Sequence, residues 1–196
     1  MTDFLIEHKA ITTLLHVMGM AVGVGAATVA DVFFFRFLKN LRVSRQEAST
    51  INVLSGVIWA ALIVAIITGL GIYLTDPARY NATPKFLVKA LVVAVIFCNG
   101  LLLNFYLSRR LATIVFVHGP QVQLGRFRFV RRLAFASGAV SIVSWYTALV
   151  LGATSRVPFS FSQIAGVYAT LLIGAVLMSQ IIEMRYTARG NAGHAS

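Results

Sequence analysis

Apolar residues fall along this chain in five long runs, separated by short stretches rich in arginine and lysine. The runs cover roughly 11–35, 51–74, 86–107, 133–152 and 162–182. Each reaches the length of about 20 residues that a helix needs to cross a hydrocarbon core of roughly 30 Å. In lipid no water satisfies backbone N–H and C=O groups, so segments that cross singly must be helical. The pattern predicts an all-α fold: one polytopic membrane domain of five transmembrane helices. Before the first run, Asp3 and Glu7 precede Lys9. That is not the basic flank of a cleaved signal peptide, so the first run is expected to remain as a helix.

Composition removes the soluble alternative. Apolar residues make up 58% of the chain and charged residues 12%, about half the charged share of a soluble domain. The mean hydropathy of +0.82 agrees.

The net charge of +11 first suggests nucleic acid, but its placement excludes that partner. The basic residues sit in connections beside apolar runs, where they would meet anionic lipid. One side collects Arg36, Lys39, Arg42 and Arg45, then Arg109, Arg110, Arg126, Arg128, Arg131 and Arg132, then Arg185 and Arg189. The other has Lys9, Arg79, Lys85 and Arg156, offset by Asp3, Glu7 and Asp76. The positive-inside rule then puts the N-terminus outside and the C-terminus in the cytoplasm, as an odd number of spans requires. The expected location is the plasma membrane, a bacterial inner membrane, crossed several times.

The longest connection, 108–132, reads as an interfacial basic loop. Its segment 111–119 is apolar but too short to span. In 121–132 phenylalanines alternate with arginines, so Arg126, Arg128, Arg131 and Arg132 are expected to face an anionic membrane surface. The same residues suit a plain connector or a dedicated binding surface. Asn81-Ala82-Thr83 matches a glycosylation sequon, but Pro84 follows it.

Small residues predict close packing. Gly19, Gly23, Ala26 or Ala27, and Ala30 share a face of the first helix. Such faces let backbones approach in lipid, so that helix is expected to be central or dimer-forming. Ser137, Ser141 and Ser144 line one face of the fourth span, with Gly138 beside them, and Trp59 reads as core packing.

Polar residues at membrane depth point to function. They form two layers. The outer one has His16, Thr68, Lys89 and Ser144. The inner one has Asp31, Asn52, Ser55, Asn99, Asn104, Ser137, Ser141, Gln180 and Glu183. Asp31, Asn99, Asn104 and Glu183 make the candidate intramembrane site. Two carboxylates close together would raise one pKa and could carry a proton. Alternatively each pairs with Arg36, Arg110, Arg132 or Arg185 and clamps the bundle. His16 and Met20, one helical turn apart, offer imidazole and thioether to a metal such as Cu(I). Imidazole also serves haem, but His8 and His118 are poorly placed for a second axial ligand. The lone cysteine, Cys98, excludes an internal disulfide and a cysteine cluster. No cofactor is required by the sequence. No phosphate-binding loop, zinc-protease or nucleophile-elbow motif occurs, and whether the protein is an enzyme stays open.

The segments 16–38, 89–111 and 136–152 loosely resemble the membrane domain of CopD-like copper-resistance proteins, and the organisation is similar to small bacterial inner-membrane proteins. That resemblance implies copper-facing roles for His16 and Met20, although the outer-side histidines and methionines are fewer than copper handling would need. Three functions follow. The bundle could assist metal, proton or small-solute transport through its polar site. It could be an accessory subunit, packing as a homo-oligomer or in a larger membrane complex. It could carry electrons on a haem.

Overall fold

A computed structural model describes residues 6–40, 45–107, 124–155 and 158–192. They form α1 (Lys9–Asn40), α2 (Arg45–Tyr73), a short α3 (Pro77–Asn81), α4 (Pro84–Leu101), α5 (Leu124–Ala153) and α6 (Phe161–Ala192). α4 runs on through a π-helical segment, Leu102–Leu107. Five segments are long and apolar enough to cross a membrane: Lys9–Arg36, Ser49–Tyr73, Pro84–Leu107, Phe129–Ala153 and Phe161–Arg185. The all-α bundle of five long apolar helices therefore stands.

Local chemistry sets the connection between α2 and α4. Asp76 caps α3 by accepting from the Arg79 N–H at 3.1 Å, and Pro77 takes the first helical position, where its missing N–H costs nothing. Thr83 is extended and Pro84 opens α4 in the same way. Tyr73 stacks on Phe86 with centroids 5.4 Å apart, and Tyr80 tilts against the same ring. The Asn81 amide donates to the Tyr73 hydroxyl at 3.2 Å.

The central helix is α5 rather than α1. Half of its membrane segment is buried, against a third or less of any other. α5 packs on α1, α4 and α6, whereas α2 packs mainly along α1. The reason is side-chain size. Ala134, Ser137, Ala139, Ser141, Ser144 and Ala148 are all buried, and small residues on several faces admit several neighbours. The small face of α1 is spent inside the bundle. A Cβ on Gly19 would lie 3.2 Å from Val64, and one on Gly23 would lie 2.7 Å from the Trp145 ring. Near the other end of α1, Phe35 meets Gly138 and Phe135 of α5, so α1 and α5 run antiparallel. Trp59 packs edge-on to Phe97 and beside Gly100, joining α2 to α4.

The loop 108–132 is corrected at its end. The chain is already helical from Leu124, so Arg131 and Arg132 belong to α5. Arg131 is buried and turns into the bundle, whereas Arg132 is half-exposed. Successive residues on a helix differ by about 100°, which separates these two neighbours. Residues 108–123 and the side chains of Arg126 and Arg128 lie outside the described residues.

Candidate functional site

A ladder of polar side chains runs along α5, and each rung reaches a neighbouring helix. At the lowest rung the Arg131 Nε donates to Glu183 Oε1 of α6 at 3.0 Å. A terminal Arg131 nitrogen also donates to the Glu183 carbonyl at 3.1 Å, and Arg132 Nε reaches Oε2 at 3.4 Å. Gln180 adds a bond from its amide to the Arg132 carbonyl at 3.1 Å. The next rung is reciprocal: the Ser137 hydroxyl donates to Asn99 Oδ1 at 2.6 Å, and Asn99 Nδ2 donates to the Ser137 carbonyl at 3.0 Å. Above it Asp31 of α1 hydrogen-bonds the Ser141 hydroxyl. The last rung pairs Ser144 with the Tyr168 hydroxyl of α6 at 2.8 Å. From Arg131 to Ser144 the ladder rises about 20 Å at 1.5 Å per residue.

The two carboxylates have different surroundings. Glu183 is 1% exposed and held by two arginines, so its geometry is that of a clamp between α5 and α6. Asp31 is 6% exposed and has no arginine partner among the described residues. One oxygen meets Ser141, while Oδ2 is buried with no hydrogen-bond partner among the described residues. Buried polar atoms are nearly always satisfied, which makes this oxygen the outstanding feature of the bundle. The two carboxylates do not lie side by side. They anchor on α5 ten residues apart, about 15 Å along its axis. Among the four residues of the candidate site, Asn99 joins the ladder. Asn104 lies on the π-helical segment at an exposed position.

A second polar cluster lies toward the opposite end of α1. His16 Nδ1 lies 3.0 Å from the Ala65 carbonyl and 3.1 Å from Thr68 Oγ1. A carbonyl only accepts, so Nδ1 carries the proton. Thr68 itself donates to the Val64 carbonyl at 2.6 Å and offers a lone pair to the ring. His16 Nε2 is then the acceptor, and Lys89 Nζ donates to it at 3.1 Å. The cluster thus ties α1, α2 and α4. Both His16 nitrogens are engaged, and Met20 packs in the apolar cluster with Val88, Val92 and Trp145. Among the described residues no group of three or more His, Cys, Asp or Glu side chains is placed to hold a metal ion. Apolar Val88, Val92, Ala148 and Leu151 fill the level between this cluster and Ser144.

Sequence reasoning missed Tyr168 and Arg131 as partners at depth. The serine periodicity of α5 gave the only signal, since it marked a polar face without naming what lies opposite. No protein-family model matches this chain, and no curated protein or solved structure matches it either.

Proposed function

We propose that this membrane bundle assists passage of protons, or of a small solute moving with a proton, and that Asp31 is the group that gains and loses it. One observation carries the reading: the buried Asp31 Oδ2 without a partner among the described residues. An isolated carboxylate held out of water is costly, and a neutral acid is the cheaper resting form. A group at membrane depth that must change charge to be comfortable is a functional candidate by default. The serine and asparagine rungs on either side supply hydroxyl and amide groups that accept and donate in turn, as a relay needs. In this reading the Glu183 end faces the cytoplasm, the His16 end faces outward, and the membrane is the bacterial inner membrane.

The test is proton flux in liposomes. The full chain would be reconstituted with a pH-sensitive dye inside, and an outward-to-inward pH step applied. The wild type should dissipate the step faster than empty liposomes, and Asp31→Asn should return the rate to the empty-liposome level. Asp31→Asn should also shift thermal stability in detergent by less than about 1 kcal/mol, roughly 2–4 °C. A large loss of stability would make Asp31 a clamp instead, and unchanged flux would remove it from any path.

A further inference from the structure

The cluster around His16 has a feature that its hydrogen bonds leave unused. Lys89 carries three N–H groups on its ammonium, and one donates to His16 Nε2. No carboxylate pairs with Lys89 among the described residues. The charged group within electrostatic reach is Lys85, a second cation. Lys85 is directed to the Thr154 carbonyl at the end of α5. The C-terminus of α5 supplies roughly half a negative charge, less than the two ammonium groups beside it. There is also room. A Cβ placed on Gly152 would have one neighbour within 4 Å outside the backbone of α5, and that neighbour is Lys89 Nζ at 3.6 Å. Apart from that ammonium the space over Gly152, an exposed position, is open, and this gap beside the charge is the notch. On the opposite flank Gly69 lets α2 approach the imidazole, at 3.2 Å from the His16 Cε1 to a built Cβ.

Spare donors, uncompensated positive charge and open space beside them coincide at one place. We infer that Lys89, with His16 and the notch at Gly152, forms a binding site for a singly charged oxyanion. The ligand is a carboxylate or phosphate group, taken either from water or from the headgroup of an anionic lipid. His16 couples the site to protons. The groups facing its ring are Lys89 and, beyond it, Lys85 from α4. α2 contributes Thr68 and the Ala65 carbonyl, and α5 contributes Gly152. A proton added at Nε2 turns the acceptor into a donor and sets two cations 3.1 Å apart. That arrangement is relieved by an anion between them, so the proton and the anion each favour binding of the other, and affinity rises as pH falls. The site stands apart from Asp31, and its occupancy is measured without any flux.

The experiment uses the purified full chain in an uncharged detergent. Acetate is titrated calorimetrically at pH 6 and pH 8 at constant ionic strength. Phosphatidylglycerol retained from mixed micelles is read by native mass spectrometry. The variants are Lys89→Gln, which removes the charge, and Gly152→Val, which fills the notch and leaves every charge in place. Saturable acetate binding, about fivefold or more tighter at pH 6 and at least about tenfold weaker in both variants, establishes a free-oxyanion site. No acetate binding, with phosphatidylglycerol retained by the wild type and lost from both variants, establishes a headgroup site. Absence of both from the wild type, or equal binding by wild type and Gly152→Val, overturns the inference. Binding that ignores pH removes His16 from it. If Lys89→Gln does not fold, Gly152→Val and the wild-type titrations decide the outcome.

Discussion

Replacing Glu183 tests what holds α6 to the bundle. Its side chain is 1% exposed, and its main partner Arg131 is 11% exposed, so neither charge can be left alone cheaply. Breaking a buried pair by removing one partner costs about 3–5 kcal/mol. Two features place Glu183→Gln at the low end of that range. Arg131 keeps its bond to the Glu183 carbonyl, and its long stem can carry the charge toward the interface. Arg132 adds little, because its side chain is 48% exposed and exposed ion pairs are worth about 0–1 kcal/mol. The expected loss is about 3 kcal/mol, or roughly 6–12 °C in melting temperature at about 2–4 °C per kcal/mol for a chain of this size. Arg131→Met should cost at least as much, since it leaves the buried carboxylate with the half-exposed Arg132 alone. The double variant Glu183→Gln/Arg131→Met should recover most of the loss, because no unpaired buried charge remains. The assay is thermal unfolding in uncharged detergent followed by circular dichroism, completed as a double-mutant cycle. A Glu183→Gln variant within about 1 kcal/mol of wild type, or a cycle with no coupling, would refute the clamp.

Gly23→Ala and Gly138→Ala should each destabilise by about 1–3 kcal/mol through overpacking, because their new Cβ atoms would lie 2.7 Å from the Trp145 ring and 2.9 Å from Phe35. Gly25→Ala and Gly174→Ala, with nothing within 4 Å, should be neutral or gain up to about 1 kcal/mol of helix propensity; unfolding of the four variants side by side separates the two classes. Ser144→Ala should cost about 1–3 kcal/mol by stranding the Tyr168 hydroxyl, and adding Tyr168→Phe should recover much of it, since removing both partners is nearly neutral. Asn99→Ala breaks both bonds to Ser137 and should cost about 1–2 kcal/mol, measured in the same unfolding assay.

The sequence alone was enough for the five spans, because the bilayer sets a length and a polarity that each helix must meet by itself. It also marked the serine face of α5 and the membrane-depth positions of His16, Lys89, Asp31, Asn99 and Glu183, since helical spacing and hydropathy are local properties. What it could not supply was partnership. Asp31 and Glu183 look alike in sequence, each an acid near the end of an apolar run close to arginines. Tertiary packing gives one of them Arg131 and Arg132 and gives the other a single serine. His16 and Met20 share a helical face, yet α2 and α4 bring Ala65, Thr68 and Lys89 to the imidazole while the thioether packs among apolar residues. Small residues on α1 suggested a central helix, and α5 took the centre because its small residues cover more than one face. Arg131 read as part of a basic loop until the helix beginning at Leu124 fixed its rotation inward. Helical periodicity fixes which side chains share a face; only the packing of one helix against another fixes what that face meets.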